Sequence, residues 1–158
     1  MKRFKDFLIE SYDSTPDTQK HIDRVRELLG MSSDILTQRG IDHDKSKLGD
    51  IEKPLFDKET PLLKSLTYGT DDYTQSLKRL GVALDNHYKN NSHHPEHHEN
   101  GIDGMDLFDI VEQFFDWKAA GERHGGNIYQ SIDINKDRFK MSDQLVNIYR
   151  NTAKNLGW

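Results

Sequence analysis

The stretch MDLFDIVEQFFDWKAAGE, residues 105–122, constrains the chain more than any other. Wound as an α-helix, it puts Asp109, Glu112 and Asp116 in one narrow sector. Leu107, Phe108, Ile110, Val111, Phe114, Phe115 and Trp117 cover nearly all the rest. A helix that apolar belongs at the centre of a fold, so its acids cannot all face bulk water. Unpaired buried carboxylates are prohibitively costly. They need a cation. A metal ion is the expected one; arginine salt bridges are the alternative, with Arg123 as one candidate partner.

The chain has no cysteine, so such a metal must be held by His, Asp and Glu. His43-Asp44-Lys45-Ser46-Lys47 supplies an adjacent His-Asp pair, which can place an imidazole nitrogen and a carboxylate oxygen on one divalent cation. Lys47 would bring an ammonium close to an anion bound there. Alone, such a pair is more often a solvated turn; the other histidines raise it. His21 lies one turn before Val25 and two before Leu28, which predicts an inward-facing side chain, with a hydrogen-bonded core histidine as the bland alternative. His87 continues the apolar series Leu77, Leu80 and Leu84, and so also faces inward. Counting His87, five of the eight histidines fall within residues 87–98, the other four in a loop over residues 90–101 marked by Asn, Pro and Gly.

The remaining elements read as helices. Residues 2–10 carry apolar residues at Phe4, Phe7 and Leu8 with helical spacing. Thr15-Pro16-Asp17 starts a helix that Gly40 ends. Residues 41–69, interrupted by Pro54, Pro61 and Gly69, are expected to be irregular or built from short helices. After a Tyr68-Gly69-Thr70 turn, Thr70 caps a helix running to about residue 90. Residues 123–127 form a polar connection, and Ser142 caps a last helix that buries Leu145, Val146, Ile148 and Tyr149. About five main helices and no alternating strand predict an all-α fold, a single domain over residues 1–158. A net charge of -5 gives no basic footprint for nucleic acid. No apolar run approaches the roughly 18 residues of a membrane span, and MKRFKDFLIE is not a signal sequence. A soluble, cytoplasmic protein is expected.

The order of an inward His, a His-Asp pair, further histidines and an Asp on a late helix resembles the HD-domain superfamily of metal-dependent phosphohydrolases. Its ligand series H…HD…D matches His21, His43, Asp44 and Asp116, with Asp109 as the rival for the last place. HDKSK is similar to the HD-x-G-K segment of HD-GYP-type members, whose Lys approaches substrate phosphate; Ser46 stands where they have Gly. At closer range the chain resembles a small family of tailed phages and bacteria that combines HD-x-SK, HHPEH and DW motifs. That likeness would place the protein in the host cytoplasm if it is phage-encoded.

The resemblance implies an HD-like helical bundle around a metal site and metal-assisted hydrolysis of a small phosphorylated substrate, a nucleotide first. His21, His43, Asp44 and Asp116 would hold one cation, and His87 and His94 a second, or His87 and His94 would donate protons. Glu112 or Asp109 would orient the attacking water, and Lys47 with Arg123 or Arg138 would neutralise phosphoryl charge. One or two ions of Mn, Fe, Co, Ni or Zn suit these donors. The expected partner is that small substrate, neither long nucleic acid nor membrane, with a homodimer left open. Alternatives are an HD-type di-iron oxygenase and an inactive metal- or nucleotide-binding protein.

Overall fold

The computed structural model describes residues 12–63, 65–67, 70–123 and 125–158. It is all-α: six α-helices and three short 3-10 turns occur among the described residues, with no strand. The helices are α1 (Thr15–Asp42), α2 (Lys53–Leu63), α3 (Asp71–Asn90), α4 (Leu107–Arg123), α5 (Ile128–Phe139) and α6 (Asp143–Asn155). The 3-10 turns are Lys45–Leu48, Pro95–His97 and Gly101–Gly104. The helix expected at residues 2–10 and the Tyr68-Gly69 part of the expected turn lie outside the described residues.

The chain divides into two compact units, Met1–Gln38 and Arg39–Trp158. In the first, α1 begins as its Thr-Pro-Asp start predicts, but none of its residues is buried. Ile22, Val25, Leu28, Leu29 and Ile35 are all exposed, and so is His21. The inward orientation expected of His21 is therefore not found. Helical periodicity identifies the apolar face of a helix, not what covers it. Gly40 does not end α1 either; the helix continues to Asp42.

The second unit has its core where α4, α5 and α6 meet. Phe114, Ile128, Ile132, Met141, Val146, Tyr149 and Ala153 form one buried cluster. Each large apolar side chain so buried contributes roughly 1.5–3 kcal/mol relative to exposure. Trp117 stacks on Phe139 with ring centroids 6.2 Å apart. The described part of residues 41–69 holds short helices, as expected: the Lys45–Leu48 turn and α2, where Pro54 falls in the first turn and its missing N–H costs nothing. The α2–α3 pair is joined by buried Glu59, which accepts hydrogen bonds from Ser76 Oγ and Arg79 Nε, both at 3.0 Å.

Helix starts follow local chemistry. Thr70 Oγ1 accepts the Tyr73 N–H at 3.3 Å, and Ser142 Oγ the Leu145 N–H at 3.3 Å, as expected of caps. The five-helix reading missed α5. Its signal was present: Asn127 and Gln130 form a reciprocal capping box, two backbone N–H groups satisfied by two side chains.

Candidate metal centre

Four chain segments of the second unit meet at one cluster. Asp42 ends α1, and His43 and Asp44 follow at once. Asp44 adopts a left-handed backbone (φ 57°, ψ 13°), which turns the chain into the Lys45–Leu48 3-10 segment. His87 lies in the last turn of α3. His93 and His94 come from the loop before Pro95, and α4 supplies Asp109, Glu112 and Asp116.

Three groups of donor atoms converge: Asp44, His87, His93 and His94; His43, Asp44 and Asp116; and His43, His93 and Glu112. Within each group the donor atoms lie within 4.8 Å of one another. The hydrogen bonds separate ligands from supports. Glu112 Oε1 lies 2.7 Å from His43 Nδ1 and 2.9 Å from His93 Nδ1. It accepts the Nδ1–H of both rings, which leaves both Nε2 lone pairs for the cluster. His43 Nε2 then sits 3.5 Å from Asp44 Oδ2 and 3.5 Å from Asp116 Oδ1. His93 Nε2 sits 3.7 Å from Asp44 Oδ1, and His87 Nε2 lies 3.2 Å from that same oxygen. The two oxygens of Asp44 thus face two different donor groups.

A cation fits this arrangement. Asp44 Oδ1 and His93 Nε2 are buried and have no hydrogen-bond partner. Buried polar atoms are nearly always satisfied. Here two lone-pair donors face one another with nothing between them to share, which is what a metal ion would resolve. His94 Nε2 lies 2.9 Å from His87 Nε2 at the same place.

Supports surround the donors. Glu52, fully buried, accepts from Asn86 Nδ2 at 2.7 Å and approaches His87 Nδ1 at 3.1 Å. Arg39 Nε donates to Glu112 Oε2 at 2.6 Å, and Arg39 Nη2 to Asp109 Oδ1 at 2.5 Å. Arginine therefore does neutralise two of the three α4 acids, but the residue is Arg39; Arg123 is exposed at the end of α4. Asp109 also accepts from Ser92 Oγ at 2.6 Å and is in none of the donor groups, so Asp116 is the α4 aspartate at the cluster. Tyr149 Oη donates to Gln113 Oε1 at 2.8 Å, and Gln113 Nε2 to the His93 carbonyl at 3.3 Å, tying the core to the loop.

Charge follows geometry. Hydrogen bonds to Asp116 and Glu112 raise His43 to about 10, against the pull of burial. Burial, then the neighbouring His93 and His87, lowers His94 to about 3. Burial and Lys47 lower His87 as well. Burial acts to raise Asp44 and Glu112, but Lys47 and His43 overcome it at Asp44, and His43 and His93 at Glu112, so both are held low. Without a metal, a protonated His43 joins Arg39 and Lys47 as a cation among the carboxylates.

Of the residues singled out in the sequence, His43, Asp44, His87, His94 and Asp116 come together. Lys47 is beside them, its Nζ 2.5 Å from Asp44 Oδ2. His21 and Arg123 are not among the converging residues. Arg138 pairs with Glu96 at 2.6 Å and lines a cavity whose wall also holds His94 and Asp116. His97 and His98 turn away to the backbone carbonyls of Tyr88 and Ser92, each at 2.8 Å. Sequence reasoning missed three supports or donors. His93 was hidden among identical neighbours, and Glu52 carries no sequence signal. Arg39 stands one helical turn before His43, but nothing local ties it to acids some 70 residues further on.

Fold and site together define an all-helical protein with a His/Asp/Glu cluster able to hold a metal ion. The chain belongs to DUF5662, a family of unknown function whose family model matches residues 10–155. No curated protein and no solved structure matches it. None of its described helices is long and apolar enough to cross a membrane.

Proposed function

We propose that this protein is a metal-dependent phosphohydrolase of HD-domain type, acting on a small phosphorylated substrate, with a nucleotide the first to try. The observation that carries the reading is Asp44: its carboxylate faces His43 and Asp116 on one side and His87 and His93 on the other. His43, Asp44 and Asp116 would hold one divalent cation, and Asp44, His87, His93 and His94 a second. Ions bound there supply a Lewis acid and an acidified water near neutral pH.

The chain's own residues supply the rest. Glu112, fixed by Arg39, orients two imidazoles at once and spares them a search for the correct tautomer. Glu52 does the same for His87. Lys47 neutralises Asp44 and is placed to turn to a phosphoryl oxygen when a metal takes over that carboxylate. His94, lowered to about 3 by burial and by His93 and His87, stays neutral, as a donor to the second cation must be.

The histidine-rich group of Asp44, His87, His93 and His94 also suits iron, which favours the di-iron oxygenase as the second reading. The test is metal analysis of untagged protein beside Asp44→Ala, followed by a phosphatase screen and an oxygen-uptake assay. One or two equivalents of metal, lost in the variant, with phosphate release, support the hydrolase. Iron with oxygen uptake and no phosphate release transfers the site to the second reading. No metal and no thermal stabilisation by Mn, Co, Ni or Zn overturns both.

A further inference from the structure

A cavity of about 460 Å³ opens beside the cluster, with His94 and Asp116 in its wall. That volume lies in the roughly 300–1,000 Å³ range that receives a ligand of nucleoside or drug size. Its wall carries aromatic rings from Tyr88, Trp117 and Phe139. It also carries the amides of Asn127, Gln130 and Asn135 and the Ser131 hydroxyl, from α5 and the turn before it.

Charge is what discriminates among ligands. Among the described residues of the wall, the acids are Glu96 and Asp116 and the single cation is Arg138. Arg138 Nη2 already donates to Glu96 Oε1 at 2.6 Å. Lys47 is not in the wall; it sits on Asp44. A phosphate away from the metal would therefore meet a wall whose one arginine is already paired and whose amides and rings carry no charge. Without a charge-assisted partner, an anion there gains less than it does at the metal end. Flat rings and uncharged hydrogen-bonding groups are welcome there.

Resting on the phosphohydrolase reading, we infer that the substrate is a phosphomonoester whose body is uncharged and bears a flat ring, its only anionic group lying at the metal end. Polyphosphates and bisphosphates are excluded by the cavity, not by the metal.

The test uses the metal-loaded full chain. Binding and hydrolysis are compared for nucleoside 5′-monophosphates, the matching triphosphates, a sugar bisphosphate and inorganic phosphate. The monophosphate is expected to bind at least about tenfold more tightly than the triphosphate, whose added charges meet only a paired arginine and Glu96, or than free phosphate, which leaves the cavity empty. Ile134→Arg adds a cation to the wall at a half-exposed position, where folding should survive. It is expected to narrow the gap between mono- and triphosphate. A wild-type protein that takes the triphosphate as well as the monophosphate overturns the inference alone. Equal affinity for free phosphate and monoester does so too, because the cavity would then contribute nothing. Metal uptake with no phosphate compound bound or hydrolysed overturns the hydrolase reading itself.

Discussion

His43 Nδ1 and Glu112 Oε1 lie 2.7 Å apart, joining the end of α1 to the middle of α4 across 69 residues of sequence. The same oxygen reaches His93 Nδ1 at 2.9 Å, so one carboxylate fixes two rings. Glu112→Gln retains one acceptor oxygen but loses the charge that holds Arg39 and both N–H groups. Metal affinity is expected to fall by about 10–100-fold, as for other supports of ligating histidines. Competitive titration with a chromophoric chelator reads it. Unchanged affinity would mean that Glu112 is not an orienting group.

Asp44→Asn keeps the size and left-handed tolerance of the side chain but removes its charge from both donor groups. If the cluster takes up metal as proposed, added Zn or Mn should stabilise the wild type by mass action on the folded state. That gain in Tm is expected to vanish in the variant. A variant as responsive as the wild type would remove Asp44 from the centre.

The metal-free protein should be most stable near pH 6.5, the ordinary value for histidine. His43 is raised to about 10, so between 6.5 and 10 the folded chain keeps a proton that the unfolded chain has lost. Its contribution is whole below 6.5 and is lost as pH climbs. His87 and His94 are lowered, the latter to about 3, so their contribution is lost as pH falls below 6.5. Asp44, Asp109 and Glu112, also held low, add to the acid-side loss at lower pH still. Urea unfolding from pH 4 to 10 in chelator measures the profile. Stability rising steadily to pH 9 would contradict it. With metal bound, the proton on His43 is displaced and the alkaline loss should disappear.

Ile132, fully buried between α5 and its neighbours, should cost about 2–5 kcal/mol when cut to Ala. Leu107, 73% exposed at the start of α4, should change stability by no more than about 0.5 kcal/mol. Asn127→Ala should lose about 1 kcal/mol through the capping box. Equilibrium denaturation of the three variants checks the order. A large loss at Leu107 would move the core elsewhere.

The all-α class and most helices were legible because period and capping are local signals. Thr70 and Ser142 do what their sequence positions suggest. His43, Asp44 and Asp116 were singled out by the likeness to the HD-domain ligand series, and their donor atoms lie within 4.8 Å of one another. What could not be read was pairing across the chain. Arg39, not Arg123, neutralises the α4 acids, and a partner 70 residues away leaves no periodic trace. His21 shows the same limit from the other side, since an apolar stripe looks identical whether covered or exposed. Choosing among His93, His94, His97 and His98 required backbone turns that Pro95 and Gly101 allow but do not dictate.

The left-handed backbone at Asp44 limits what else that position could hold. Glycine takes the conformation freely, while a residue with a Cβ pays on the order of 1 kcal/mol, aspartate and asparagine being the side chains that tolerate it best. The tight turn after α1 thus narrows the choice to a few residue types, and of these only aspartate brings a charge to the imidazoles facing it.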